Sequence, residues 1–116
     1  MADLKDLLKR AQEVRTKYDE LNIRDGHKKW DVSDYVAGFT GDVGDLVKLV
    51  MAKEGKRRGE NVDAKLQHEL SDCLWSLLVI AAHYNIDLEK SFAETMNELE
   101  ARLLADERSA SYDYAK

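Results

Sequence analysis

The chain has 116 residues, enough for one domain with a single core. Its formal net charge of -5 argues against a nucleic-acid partner, because general nucleic-acid binders need a basic surface. The single cysteine, Cys73, excludes an intramolecular disulfide framework and suits a reducing compartment. The first residues lack the apolar core of a signal peptide, and no apolar stretch is long enough to span a bilayer. We therefore expect a cytoplasmic protein with no membrane partner.

Apolar residues recur at three- and four-residue steps along four segments, and no proline interrupts them. This periodicity predicts long helices over roughly 3–23 and 32–53, the first ending near Gly26. Asp31 or Ser33 is the predicted N-cap of the second helix.

A third helix is predicted over about 62–84, with Asn61 as its candidate cap and an apolar second half typical of a buried helix. A fourth is predicted to start after Asp87, its candidate N-cap, and to run to about 104. We interpret 1–106 as one domain and 107–116 as a polar tail. Without any strand pattern, short connections between long helices predict an all-α bundle of about four helices, completed by oligomerisation.

The second and third helices carry matching acidic positions. Asp42 and Asp45 are three residues apart, and Glu69 and Asp72 repeat that spacing, so each pair shares a helix face. On helical wheels, the first acids of the two pairs lie about 100° from the apolar stripe and the second acids about 160°, on the same side. If these helices pack antiparallel, four carboxylates converge and need a cation to remain ionised.

Ligand sets made only of oxygen favour Mg²⁺ first and Mn²⁺ second. Because protein-bound Mg²⁺ also holds substrate phosphates, the expected substrate is a nucleotide or another polyphosphate. Two other interpretations stay open. Acidic pairs at this spacing also occur on solvated helix faces. A di-iron centre would need Glu-x-x-His, but His68 directly precedes Glu69, which disfavours it.

The stretch GDVGD, residues 41–45, resembles the Glu-Glu-x-x-Glu motif of the MazG-like nucleotide pyrophosphohydrolases, the all-α NTP pyrophosphatase superfamily. ELSD, residues 69–72, matches the Glu-x-x-Asp motif of that family, and the resemblance covers roughly 30–104. It implies Mg²⁺-dependent hydrolysis of nucleoside triphosphates to monophosphate and pyrophosphate, as housekeeping of the nucleotide pool. It also implies a homodimer or homotetramer.

Carried over position by position, the resemblance implies four metal ligands: Asp42, Asp45, Glu69 and Asp72. The first glutamate of the family motif is replaced by Gly41, so no catalytic residue is assigned. That replacement favours the alternative hypothesis, a MazG-fold nucleotide-binding, metal-binding or interaction module with weak or no turnover. Gly44 is expected to permit close approach of the helices beside the metal.

Basic and aromatic residues supply further candidates for substrate binding. Lys56 and Arg57, in a basic loop, and Arg102, on the fourth helix, are candidate phosphate contacts, with a solvated loop as the alternative. Trp30 and Trp75 are candidates for stacking on a base, although we prefer a hydrophobic staple for Trp30 and core or interface packing for Trp75. Lys48 is assigned no role.

Overall fold

The computed structural model describes residues 2–108, in which four helices and no strand occur. The helices are α1 (Leu4–Arg24), α2 (Val32–Lys53), α3 (Val62–His83) and α4 (Leu88–Arg108). The prediction of an all-α fold is therefore confirmed. Helix α4 extends beyond its predicted end near 104, because no glycine or proline interrupts residues 105–108. Residues 109–116, most of the predicted polar tail, lie outside the described residues.

The chain forms two compact units, which divide after Asn85. The first contains α1, α2 and α3, and the second contains α4. Within the first unit, α3 packs against both α1 and α2. Helices α2 and α3 are antiparallel, since Lys53 at the end of α2 lies 2.6 Å from Asp63 near the start of α3, measured from Nζ to Oδ1. Asp42, earlier on α2, lies beside Asp72, later on α3.

Reciprocal hydrogen bonds between aspartates begin α1 and α2. The backbone N–H of Asp34 donates to the Asp31 carboxylate, and the N–H of Asp31 donates back to the Asp34 carboxylate. Asp3 and Asp6 repeat this capping box at α1. Each box satisfies backbone donors that the first turn leaves free. Of the two predicted N-caps of α2, Asp31 is therefore confirmed, and Ser33 lies inside the helix.

The start of α3 differs from those of α1 and α2. Asn61 adopts a left-handed conformation, with φ of 52°, and its side chain makes no capping hydrogen bond. The prediction of Asn61 as the N-cap position of α3 is therefore confirmed, although its side chain accepts no backbone hydrogen bond. The left-handed backbone, which asparagine tolerates better than most residues, directs the chain from the preceding loop into the helix.

The core of the first unit is built mainly by the second half of α3. Val79 is almost fully buried, and the apolar character of this half-helix explains why it lies between α1 and α2. The buried residues are Ala11, Tyr35, Cys73, Ser76, Leu78, Val79 and Ala81. Among residues 2–108, no helix is both long enough and apolar enough to cross a bilayer.

Candidate metal centre

Three carboxylates meet where α2 packs against α3. Asp42, Glu69 and Asp72 each place one carboxylate oxygen within 4.8 Å of the others. The three-residue spacing puts Glu69 and Asp72 on one face of α3, and the antiparallel packing places Asp42 opposite them. We call these three residues the acidic cluster. All three side chains are partly buried.

Asp45 is the fourth predicted ligand, and it lies at the margin of the acidic cluster. It is exposed, and its carboxylate is not among those within 4.8 Å of one another. Its charge nevertheless raises the pKa of Asp42 and of Glu69. The structure thus brings three of the four predicted residues together and leaves Asp45 one turn away on α2. Their role as ligands remains a prediction.

The electrostatics of the cluster oppose ionisation. Burial raises the pKa of Asp42 and Glu69, and the charges of the neighbouring acids raise both further. His68 acts in the opposite direction, with its Nε2 3.1 Å from Asp72 Oδ2. Oε2 of Glu69 is buried and has no hydrogen-bond partner among the described residues. A divalent cation would satisfy this oxygen and reverse the repulsion between the carboxylates.

The geometry discriminates between the interpretations that the sequence leaves open. A solvated acidic face would keep its carboxylates apart and hydrated, whereas Glu69 has a buried oxygen without a donor. Among residues 2–108, the only cluster suited to a metal contains carboxylates and no histidine, which disfavours a di-iron centre. A ligand set made only of oxygen suits hard cations such as Mg²⁺ or Mn²⁺.

An aromatic cleft of about 370 Å³ opens beside Asp42 and Asp72. Four aromatic side chains and three smaller residues complete its lining: Tyr18, Trp30, Tyr35, Trp75, Asn22, Gly38 and Ser76. The Tyr35 ring lies edge-on to its two neighbours, with its centroid 5.4 Å from that of Trp30 and 5.5 Å from that of Trp75. The Trp30 contact is the predicted hydrophobic staple at the start of α2.

Trp75 joins the cleft to the core. Its Nε1–H donates to the backbone oxygen of Ala11 over 3.1 Å, and its ring packs on Tyr18 with centroids 5.7 Å apart. The predicted packing role of Trp75 is therefore confirmed. Because each aromatic ring of the cleft is held by another, the cleft is largely preformed.

A lysine groove of about 580 Å³ lies on the other side of the acidic cluster, beside Asp45 and Glu69. The remaining lining residues are Lys48, Leu49, Asn61, Ala64, Lys65 and His68. Lys48 belongs to α2 and Lys65 to α3. Among the described residues, no carboxylate oxygen lies within 4.0 Å of either ammonium group.

Residues 32–103 match the family model of the MazG nucleotide pyrophosphohydrolase domain. The matched segment covers more than half of the chain and contains α2, α3 and the acidic cluster. The chain belongs to the MazG family. No curated protein and no solved structure gives a significant match to the chain.

Family membership confirms the resemblance seen in the sequence. The MazG domain suggests nucleotide pyrophosphohydrolase activity and implies a nucleotide as the substrate class. The family depends on divalent metal, and the acidic cluster could bind such an ion.

The glycines of α2 have different roles from those expected. A Cβ at Gly41 or Gly44 would meet no atom within 4 Å, so the prediction that Gly44 permits close helix approach is wrong. Close contacts occur at two other glycines of the MazG chain. A Cβ at Gly38 would lie 3.2 Å from Cζ3 of Trp30, and one at Gly59 would lie 2.9 Å from Cγ2 of Val62.

Two of the three predicted phosphate contacts, Lys56 and Arg57, lie in the first unit and outside both cavities. Lys56 and Arg57 are exposed in the loop after α2 and line neither the aromatic cleft nor the lysine groove. Arg102 belongs to α4, in the second unit. All three remain predictions.

The sequence interpretation missed three residues beside the acids. Lys48 follows Asp45 by three residues, and Lys65 precedes Glu69 by four, so each lysine shares a helix face with a predicted ligand. His68 precedes Asp72 by four and contacts it. The three- and four-residue spacings in the sequence indicate these neighbours, whereas the position of Lys48 relative to the apolar stripe does not.

Proposed function

We propose that this MazG domain hydrolyses nucleoside triphosphates to monophosphate and pyrophosphate, using Mg²⁺ or Mn²⁺ held by the acidic cluster and Asp45. The observation that carries the proposal is the convergence of three carboxylates, one of which has a buried oxygen without a donor. In a cell, this reaction would remove non-canonical or excess nucleotides from the pool.

In the proposed metal centre, three residues would bind the cation and a fourth would orient one of these ligands. The carboxylates of Asp42, Glu69 and Asp72 supply the oxygen ligands, and His68 fixes the orientation of the Asp72 carboxylate through their 3.1 Å contact. When bound, the cation would neutralise phosphate charge and make a bound water more acidic.

The reaction itself is a displacement at phosphorus. The oxygen of water forms a bond to the α-phosphorus, and the P–O bond to the α–β bridging oxygen breaks. Pyrophosphate leaves with the electron pair of that bond. Of the two protons of the water, one is taken up by pyrophosphate and one by the solvent. We assign no general base, since Gly41 occupies the position of the first acid of the family motif.

The aromatic cleft supports a nucleoside as the group attached to the phosphates. It borders Asp42 and Asp72, so a ligand in the cleft would present its phosphates to the acidic cluster. Purine and pyrimidine rings stack on aromatic side chains, and Trp30 is 45% exposed and therefore accessible to a ligand.

Two expectations from the sequence accompany this proposal. We propose a homodimer or homotetramer, as the family resemblance implies, and a cytoplasmic location, as the composition suggests. Sedimentation of the purified chain would distinguish the oligomers from a monomer.

The direct experiment is a product assay. The full chain is incubated with a panel of dNTPs and NTPs in Mg²⁺ or Mn²⁺, and monophosphate and pyrophosphate are measured. We expect turnover of at least one nucleotide by the wild type and none by Asp72→Ala. Asp63→Ala is the matched control, because this exposed acid of the same helix lies outside the cluster. Equal activity in wild type and Asp72→Ala would contradict the site.

A second function, binding without turnover, is favoured by the glycine at position 41. The space around Gly41 makes a decisive test possible, because a side chain there would meet no atom within 4 Å. If the wild type binds nucleotide and metal but does not hydrolyse the nucleotide, the variant Gly41→Glu distinguishes an impaired enzyme from a binding module. Turnover gained by this variant would show an impaired enzyme, and continued inactivity would show a binding module.

A further inference from the structure

We propose that α1 selects the base of the nucleotide: the side-chain oxygen of Asn22, oriented by Asp19, accepts a hydrogen bond from an exocyclic amino group. The site would therefore prefer cytosine, adenine or guanine to uracil or thymine. This inference rests on the proposed function, in which the base occupies the aromatic cleft, and adds to it the class of base. Both residues belong to α1, which precedes the segment 32–103 that matches the family model.

Asn22 is the residue that would contact the base. It lines the aromatic cleft, is partly buried, and is the one side-chain amide among the described lining residues. Among residues 2–108, its side chain makes no hydrogen bond. Because a side-chain amide carries one acceptor oxygen and two N–H donors, Asn22 can bind a ligand in the cleft through either end.

Asp19 lies beside Asn22 and lacks a donor. It precedes Asn22 by three residues, so the two side chains share a face of α1. Its Oδ1 is buried and has no hydrogen-bond partner among the described residues. Burial raises the pKa of Tyr35, and the charge of Asp19 raises it further, which places this carboxylate near a ring that lines the cleft.

Arg15, one turn earlier on α1, does not neutralise Asp19. Its guanidinium lies over the Tyr35 ring, 4.9 Å from the centroid. Within the part of the chain that the structure describes, no nitrogen of Arg15 lies within 4.0 Å of a carboxylate oxygen. The carboxylate of Asp19 therefore needs a donor from elsewhere.

The amide nitrogen of Asn22 can supply that donor. Side chains three residues apart on a helix are neighbours, and an ionised carboxylate only accepts hydrogen bonds. A rotation of the Asn22 side chain would turn its N–H toward Asp19 and its oxygen toward the cleft. This orientation is favoured because a buried oxygen without a donor destabilises the fold.

With this orientation, the cleft offers acceptors to the edge of the base. The carboxylates of Asp42 and Asp72 also accept, and the described lining contains no lysine or arginine. The hydroxyl of Ser76 can donate or accept, so it tolerates any base. Cytosine, adenine and guanine carry an amino donor, whereas uracil and thymine carry a carbonyl oxygen where cytosine has its amino group. That carbonyl would face the oxygen of Asn22 without a hydrogen bond.

The experiment measures binding of matched nucleotides to the full chain by calorimetry in Mg²⁺. The probes are dCMP against dUMP and dAMP against dIMP, because each pair exchanges an amino group for a carbonyl at one ring position. We expect the amino member to bind about tenfold more tightly, and Asn22→Ala to reduce that ratio to within about twofold. Gln12→Ala, at an exposed position of α1 outside both cavities, is the matched control and should keep the ratio.

Asp19→Asn tests the orienting role separately. The new amide can donate as well as accept, so it no longer holds the nitrogen of Asn22 toward itself. We expect dUMP to bind more tightly to this variant than to the wild type, so that the ratio between dCMP and dUMP falls. A merely structural role of Asp19 would weaken both nucleotides equally and leave the ratio unchanged, which would overturn the role of Asp19.

The inference is overturned if both members of each pair bind equally, if the carbonyl members bind more tightly, or if the preference survives in Asn22→Ala. A preference within one pair only would support the inference and show which ring size the cleft accepts. Absence of binding by all four monophosphates would also overturn it. The product assay with the nucleotide panel decides the proposed function independently, since hydrolysis of dCTP and dUTP at equal rates would retain that function and refute the selection of the base.

Discussion

Aspartate occurs in two opposite environments in this MazG domain. At the start of α2, the Asp31 carboxylate accepts a hydrogen bond from the Asp34 backbone, which lowers the pKa of Asp31. At the acidic cluster, burial and the charges of neighbouring acids raise the pKa of Asp42. The capping acid finds its donor within the chain, whereas the cluster acid lies among other carboxylates. Asp31 thus stabilises the fold, and we propose that Asp42 binds a cation.

The largest effect is expected from neutralising a cluster acid. Glu69→Gln keeps the shape of the side chain but removes its charge and replaces one oxygen with a donor. We expect turnover to fall by more than about 100-fold, since even outer-shell partners of a metal contribute 10- to 100-fold. The assay is steady-state release of pyrophosphate. Asp34→Asn, in the capping box, should retain turnover. Comparable losses of turnover in both variants would show that the cluster acid has no role in catalysis that the capping acid lacks.

Removing the N-cap of α2 should lower the stability of the fold and leave metal binding unchanged. Asp31→Ala leaves the backbone N–H of Asp34 without its acceptor. Because N-cap substitutions destabilise helices, we expect the Tm to fall by roughly 4 °C or more, while Mn²⁺ affinity stays within about twofold of the wild type. Thermal melting followed by circular dichroism, together with a Mn²⁺ titration, measures both. An unchanged Tm would show that the cap does not stabilise α2.

The pH dependence of stability should have opposite signs at the two sites. A raised pKa, as at Asp42, means that the metal-free folded state loses stability as pH rises through the range between the ordinary value of 3.8 and the raised one. A lowered pKa, as at Asp31, means that stability present above 3.8 is lost as pH falls through the lowered value.

Asp42→Asn isolates the cluster contribution to this pH dependence. Without metal, we expect the variant to be more stable than the wild type at neutral pH, with the difference vanishing as pH falls below 3.8. Metal affinity should decrease over the same fall in pH, because protonated carboxyls do not bind the cation. Melting curves between about pH 3 and 7 provide the comparison. If the wild type were more stable than Asp42→Asn at neutral pH without metal, repulsion between the carboxylates of the acidic cluster would be contradicted.

The smallest effects are expected at the glycines beside the cluster. Gly41→Ala and Gly44→Ala should each raise the free energy of unfolding by up to about 1 kcal/mol, because both positions are helical and open. Gly38→Ala should raise it by less than either, since the new Cβ would lie 3.2 Å from the Trp30 ring, which must move to accept it. Chemical denaturation measures all three, and a destabilised Gly44→Ala would restore the close-approach role that the structure excludes.

Properties that depend on one helix at a time were predictable from the sequence. The periodicity and the capping residue of α2 follow from local spacing, and the helical wheels correctly placed Asp42 opposite Glu69 and Asp72. The distance of Asp45 was not predictable, because it depends on how closely and in what register α2 and α3 pack. The same register brings Lys48 and Lys65 into one groove.

Mn²⁺ binding to the full, metal-depleted chain, followed by electron paramagnetic resonance, tests the central claim most directly. The signal of free Mn²⁺ reports binding without any need for turnover. If the acidic cluster is a metal centre, the wild type should bind Mn²⁺ and Asp72→Asn should lose most of that binding, while Asp63→Asn retains it. Absence of Mn²⁺ binding by the wild type, or equal binding by wild type and Asp72→Asn, would contradict the assignment of Asp42, Glu69 and Asp72 as ligands.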